Sequence, residues 1–228
     1  MRRRRKVSFG LSAAAVLAML FLALWQGVLQ QQHGSPPAKS GRRSVGETCP
    51  AEAFVLSVAD GDTFITREGL RVRLLNIDTP ERGEPFSSQA AARLAELILG
   101  RSVRLTYDVE KQDRYGRLLC HVHLGNTWVN ELLVREGLAL VYTVEPNFLK
   151  TDRLIPVQKA AREQKLGMWS LPPPKPPEGG YIASSKGFRF HLPGCEAARG
   201  IAARNIRRLK TRDEALNLGL SPCRSCHP

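Results

Sequence analysis

Residues 60–81, DGDTFITREGLRVRLLNIDTPE, constrain the fold more than any other part of the chain. Two β-like runs, 64–66 and 71–76, flank a turn at Glu68-Gly69, and the second alternates Val72, Leu74 and Asn76 against Arg71, Arg73 and Leu75. Such alternation predicts a half-buried strand pair. A strand buried on one face normally ends in an uncharged turn. This pair ends in Asp60-Gly61-Asp62 on one side and Asp78-Thr79-Pro80-Glu81 on the other. Carboxylates gathered at one end of a hairpin repel one another unless a counter-charge sits among them, and a hard, oxygen-seeking cation such as Ca²⁺ meets that need. Arg73, between the acids, suits a phosphate, because its planar fork can bind two oxygens at once. Taken singly, DG is an ordinary turn and TPE an ordinary helix start. Together, at this spacing, they mark a site.

DGDT and RLLNIDTPE are followed by Asp113-Arg114-Tyr115-Gly116-Arg117 and by VNELLVREGLA at 129–139. In this order the four motifs resemble the staphylococcal nuclease (thermonuclease) family over residues 54–170, about half the chain. The resemblance implies an α+β domain, a five-stranded Greek-key β-barrel of the OB type with three helices packed on it. It implies calcium held by Asp62, Asp78 and the carbonyl of Thr79, with Glu81 as the proposed general base and Arg73 and Arg117 as clamps on the transition state. It implies cleavage of both DNA and RNA, leaving 3′-phosphate ends. Tyr115 and Tyr142 match positions where the family places phenols around the bound nucleotide. Two departures bear on affinity and base preference: Val144 stands where a second stacking tyrosine is expected, and the loop after Glu81 is short.

The residues support the same roles by their chemistry. Phosphodiester hydrolysis needs a positioned water, neutralisation of the charge that builds on phosphorus, and help for the leaving oxygen. Two acids with a carbonyl form an oxygen cage, Glu81 can orient the water or take its proton, and two arginines can grip the phosphate from two sides. Asp60 is a further acid that tunes the centre.

Along the chain, MRRRRK precedes an apolar run over 7–29 that is long enough for a membrane span of about 20 residues. Residues 1–29 are expected to be an uncleaved N-terminal anchor rather than a secretory signal peptide, since Ala23-Leu24-Trp25-Gln26 is a poor cleavage pattern. The basic residues before the run outweigh Lys39, Arg42 and Arg43 after it, which leaves the rest of the chain outside the cytoplasm. A cleaved leader would make the protein secreted. Residues 30–50, rich in Gly, Pro, Ser and Gln, read as a flexible tether. The folded domain spans 51–170, with strands expected at 54–58, 64–66, 71–76, 103–107 and 118–124 and helices at 87–99, 129–136 and 152–164. Residues 171–180, LPPPKPPEGG, form a stiff spacer and a domain boundary, because proline cannot donate to a ladder.

The tail, 181–228, carries His191-x3-Cys195 and Cys223-x2-Cys226. Two close pairs of soft ligands separated by a helical stretch have the layout of a four-coordinate zinc site, and so short a piece needs the metal to hold it together. An oxidising compartment would instead allow a disulfide between two of these cysteines, and His227 is a substitute ligand. This segment resembles the metal-binding domain of the Ada DNA-repair proteins, in which all four ligands are cysteines. His191 in the first place suits structural zinc and disfavours methyl-acceptor chemistry. Cys49 and Cys120 could pair outside the cytoplasm, although Cys120 reads as a small apolar strand residue. His121 and His123 read as packing or surface residues of one strand face.

Net charge is +13, with +8 in residues 1–43, −1 in 44–180 and +6 in 181–228. Basic flanks around a near-neutral domain suit polyanions. Arg199, Arg204, Arg207, Arg208, Lys210 and Arg212 are the tail's candidates for gripping phosphates. The leading expectation is a calcium-dependent nuclease. The alternatives are a nucleic-acid-binding protein that has lost hydrolysis, and a metal-centred repair or sensing module carried on a barrel.

Overall fold

A computed structural model describes residues 49–228 of the chain, so the leader at 1–29 and nearly all of the tether at 30–50 lie outside the described residues. Among the described residues no helix is long and apolar enough to cross a membrane.

Five strands close a barrel. β1 (Glu52–Val58), β2 (Thr63–Thr66), β3 (Arg71–Leu74), β5 (Ser102–Thr106) and β6 (Leu118–Leu124) run in the order β3-β2-β1-β5-β6, and β6 pairs back onto β3. The closing pair is parallel, with Val72 opposite Leu118, Arg73 opposite Leu119 and Leu74 opposite Cys120; the others are antiparallel. β4 (Ile77–Asp78) leaves the barrel to pair with β8 (Leu140–Val141), and β7 (Thr127–Trp128) folds back to pair antiparallel with β6. A closed sheet has no free edge, and its inward positions fill with side chains. Val55, Phe64, Val72, Leu74, Val103, Leu118, Cys120 and Val122 fill this one.

Three helices cover the barrel: α1 (Ser87–Ile98), α2 (Val129–Arg135) and α3 (Thr151–Glu163). α1 buries Ala90, Leu94 and Ile98, a single stripe at four-residue spacing. Asn130 of α2 ties the pieces together. Its Oδ1 accepts the Val122 N–H at 2.9 Å, and its Nδ2 donates to the Leu75 carbonyl at 2.9 Å.

The run 71–76 departs from the half-buried strand expected of it, because Val72 through Asn76 are all buried. Barrel closure covers one side of β3. On the other, Arg73 sits inside among acids rather than in water, while Asn76 turns the chain at φ 60° and donates to the Asn147 carbonyl at 2.6 Å. His121 and His123 both pack on Trp128, His121 edge-on at 5.3 Å and His123 stacked at 6.4 Å. Cys120 is buried, and Cys49 and Cys120 are both free thiols.

The tail forms a second sheet, in the order β11 (Ile206–Leu209), β9 (Tyr181–Ser184), β10 (Arg189–His191), β12 (Ser221–Pro222), with α4 (Arg212–Asn217) across it. Tyr181, Phe190, Leu209, Ala215, Leu216 and Leu220 make its core, against which Trp169 packs. Residues 171–180 contain no strand or α-helix, yet the pieces on either side meet along a seam. Ser221 Oγ accepts the Thr143 N–H at 3.2 Å and donates to the Val141 carbonyl at 3.1 Å. Arg189 Nη1 donates to the Thr143 carbonyl at 2.6 Å, and Arg162 reaches Asp213 at 3.0 Å. Thr48–Pro228 is accordingly one compact unit.

Candidate active site

The turn Asp60-Gly61-Asp62 is pressed against α1 and Thr79. A Cβ on Gly61 would lie 2.7 Å from both Ala90 Cβ and Thr79 Oγ1, so only glycine permits the approach. That approach brings the Asp62 carboxylate under Thr79, whose N–H and hydroxyl both donate to Oδ2, at 3.0 and 3.1 Å. The other oxygen, Oδ1, takes the Thr63 hydroxyl at 3.1 Å and Arg73 Nε at 2.9 Å. Arg73 then spans to the second acid: its Nη2 meets Asp78 Oδ1 at 2.8 Å, and its Nη1 donates to the Leu74 carbonyl at 2.6 Å. Asp60, at the surface, accepts the Asp62 N–H at 3.1 Å. Asp62, Arg73, Asp78 and Thr79 are therefore one bonded cluster.

Its electrostatics are unbalanced. Burial pushes the Asp62 carboxyl up to about 6, and the charges of Asp60 and Asp78 add to that push against the pull of Arg73 and the Thr79 N–H. Three acids against two guanidiniums, the buried Arg73 and the half-exposed Arg224 on Asp78, leave negative charge in a confined place. The donors are all oxygen. Both features fit a hard divalent cation held by Asp62 and Asp78.

Glu81 is exposed and, with Asp78 and Thr79, borders a cleft of about 990 Å³ between the barrel, the proline-rich segment and the tail module. Arg117 lies apart from the acid cluster in its bonding. Its Nε and Nη2 both meet Asp113 Oδ2 at 2.7 Å, and Asp113 Oδ1 accepts the N–H groups of Tyr115 and Arg117 at 2.9 and 3.0 Å. Burial alone would raise the Asp113 carboxyl, but the Arg117 N–H and guanidinium hold it below its ordinary value. The β3–β6 pairing sets Leu118 beside Val72, which brings the Arg117 segment alongside the Arg73 segment. Tyr115 is exposed, with the Arg117 guanidinium 5.6 Å from its ring centre. The Tyr142 ring has Arg189 at 3.8 Å and Arg224 at 4.6 Å.

Two of these residues escape a reading of the sequence. Arg224 donates from Nη2 to Asp78 Oδ1 at 2.5 Å, and Arg189 stands over Tyr142. Both belong to the tail, and nothing in their local sequence says that they face the barrel. Of the tail's candidate phosphate grips, Arg199, Arg204, Arg207, Arg208 and Lys210 are exposed, whereas Arg212 is drawn into the seam, 5.7 Å from the Trp169 ring centre.

A second donor group lies within the tail. One ligand atom each from His191, Cys195, Cys223 and Cys226 falls within 4.8 Å of the others, the one such group of three or more among the described residues. Tetrahedral zinc with bonds of about 2.3 Å sets sulfurs about 3.8 Å apart, so the spread needs little adjustment. His191 Nδ1 is buried without a hydrogen-bond partner. Burial would raise the Cys223 thiol, but N–H groups of Ser225 and Cys226 directed at it bring it below its ordinary value, toward the thiolate that a metal requires. Three free thiols and an orphaned imidazole nitrogen fit a metal of zinc's preferences. His227 is not part of the group.

Residues 71–171 match the family described as staphylococcal nuclease homologue. An uncharacterised endonuclease of Escherichia coli O157:H7 is 39% identical over 128 residues, covering 54% of this chain and 80% of the relative. The thermonuclease of Staphylococcus hyicus is 36% identical over 125 residues, covering 51% of this chain and 74% of the relative. The endonuclease YncB of Bacillus subtilis (strain 168) is 32% identical over 170 residues, covering 70% and 74%.

Proposed function

The chain belongs to the staphylococcal nuclease family and is a nuclease that hydrolyses phosphodiester bonds, and from that premise we propose a calcium-dependent endonuclease that cuts both DNA and RNA and leaves 3′-phosphate ends. The observation that carries the proposal is buried Arg73 bridging Asp62 and Asp78, at 2.9 and 2.8 Å, with Asp78 lining the cleft that Glu81 borders. Asp62, Asp78 and the Thr79 carbonyl would hold the cation, which would supply positive charge beside the phosphate. Glu81, exposed at the lip, orients a water and takes its proton as the oxygen adds to phosphorus. The P–O5′ bond then breaks and the departing oxygen takes a proton from solvent, so that one fragment keeps the 3′-phosphate and the other leaves with a 5′-hydroxyl. Arg73 and Arg117 take up the charge that builds on the phosphate oxygens, exchanging bonds to Asp78 and Asp113 for bonds to substrate. Tyr115 and Tyr142 flank the nucleotide.

The tail holds a structural zinc through His191, Cys195, Cys223 and Cys226, and its exposed arginines raise the local concentration of nucleic acid. The order of basic and apolar residues in 1–29 is what supports a location outside the cytoplasm, on the membrane or secreted. The test is cleavage of single-stranded DNA and RNA by the full chain with Ca²⁺, with EGTA, and with Glu81→Gln. Calcium-dependent cleavage that falls at least about a hundredfold in the variant supports the assignment. Folded protein that binds DNA and never cuts it with any divalent ion overturns it.

A further inference from the structure

The tail module reaches into the nuclease centre through one side chain. Arg224 stands between Cys223 and Cys226, two of the four converging ligands, so its loop is pinned at both ends. The backbone is fixed as well. The Cys223 N–H donates to the Phe190 carbonyl at 3.0 Å, the His227 N–H donates to the Cys223 carbonyl at 3.0 Å, and the Ser225 N–H points at Cys223 Sγ at 3.4 Å. From this loop Arg224 crosses the seam to Asp78 at 2.5 Å and lies over Tyr142.

An ion pair with one half-exposed partner adds little stability by itself. A guanidinium has five N–H donors. One hydrogen bond from Arg224 is present among the described residues, and its side chain is 53% exposed. Nor does it seal the acid: Arg73 and Arg224 both meet Asp78 at the same oxygen, Oδ1, which leaves Oδ2 to other ligands. Arg162, Lys165 and Arg212 also line the cleft beside it, alternating with the acids Asp78, Glu81, Glu84 and Asp213, and Arg162 is paired with Asp213. A rigidly mounted fork with unused donors, beside the hydrolytic acids and on the wall of the cleft, matches the phosphate of an extended strand.

We propose that Arg224 is a phosphate-binding residue of the nuclease centre, delivered by the metal-binding module, and that it grips the nucleic-acid backbone next to the scissile phosphate as the strand enters the cleft between module and barrel. Resting on the nuclease function above, the proposal makes the tail part of the active site and the two halves of the chain one enzyme.

The test compares the full chain with Arg224→Ala and Arg224→Lys by cleavage kinetics on single-stranded DNA. It also measures binding of a fluorescent oligonucleotide in EGTA, where nothing is cut. Thermal melting checks that the variants fold. Arg224→Ala is expected to raise KM and the dissociation constant about tenfold, to change kcat little, and to reduce the salt dependence of binding by about one phosphate contact. Arg224→Lys restores the salt dependence and only part of the affinity, since a point charge replaces a fork. Unchanged affinity and salt dependence in Arg224→Ala overturn the proposal. So does tighter binding or faster cleavage in that variant, which would make Arg224 an obstacle at Asp78. Loss of cleavage in the unaltered chain would defeat the nuclease assignment instead, and the binding arm still decides the role of Arg224.

Discussion

Gly137 and Gly167 pass each other so closely that a Cβ on Gly137 would lie 2.1 Å from the Leu166 carbonyl oxygen, and one on Gly167 would lie 2.3 Å from that of Gly137. Both have positive φ, 70° and 52°, and the Met168 N–H donates to the Gly137 carbonyl at 2.9 Å. The crossing fixes the end of α2 to the turn that carries Trp169 against the tail module. Gly137→Ala is therefore expected to destabilise the protein by about 3 kcal/mol or more. Gly69 has a similar φ, 80°, with open space around it, and Gly69→Ala is expected to cost only about 1 kcal/mol. Urea unfolding midpoints of the two variants measure the difference, and equal losses would refute the close approach as the cause.

The second prediction concerns pH. Asp62 titrates near 6 in the folded chain against an ordinary 3.8. The folded state thus holds this proton more tightly, so Asp62 detracts from stability above about pH 6 and the deficit disappears as pH falls through that window. Asp113 is held low and acts in the opposite sense, losing its stabilising effect only as pH falls below its ordinary 3.8. A cation needs the Asp62 carboxylate, so calcium affinity should weaken as pH drops below about 6. Calorimetric titration of Ca²⁺ on either side of that value gives the answer, and an affinity independent of pH would exclude Asp62 as a ligand.

Asn130 provides a stability test remote from the cleft. It is fully buried and satisfies the Val122 N–H and the Leu75 carbonyl at once. Asn130→Leu strands both groups and should cost about 2–4 kcal/mol, or about 5–10 °C in Tm for a chain of this size. A change of about 1 °C or less would mean that water replaces the amide.

Arg117 and Asp113 separate contact from support. Arg117→Lys should lower kcat about a hundredfold, because one ammonium replaces a fork. Asp113→Asn weakens the hold on Arg117 and should lower kcat less, by about tenfold. Steady-state kinetics decide this, and equal losses would make Asp113 a participant rather than a support.

Metal analysis tests the tail. The purified chain should carry about one zinc, and Cys226→Ser should lose it together with the local fold. Since Arg224 hangs on that loop, Cys226→Ser should also reproduce the raised KM of Arg224→Ala. Zinc-free protein with unaltered KM would show that the loop holds without metal.

What the sequence discloses and what it hides divide by range. The barrel strands and helices are legible because their signals are local: β6 at Leu118–Leu124 is a short, largely apolar run between the turns at Gly116 and Gly125, and α2 at Val129–Arg135 ends at the Gly137 stop. The four soft ligands are legible because Cys223 and Cys226 are neighbours in the chain, and the structure gathers them with Cys195 and with His191 rather than His227. The burial of Arg73 is not legible, since alternation cannot show that β6 closes on β3 or that two acids wait inside. Arg224 is hidden altogether. It is one of nine basic residues in the tail, and only the docking of that tail distinguishes it.

Arg224 and Asp78 are separated by 146 residues of chain, and the two bonds of Ser221 to the barrel span 78 and 80. Contacts this distant in sequence close large loops and are among the slowest to form. Barrel closure, which spans shorter loops, is expected to precede them, leaving the acids for an interval without their distal partner. During refolding, cleavage should return in two stages: a slack activity that tracks the barrel, then a tightening of substrate affinity as the seam zips. The enzyme times its own completion, and the rate at which KM falls is the clock.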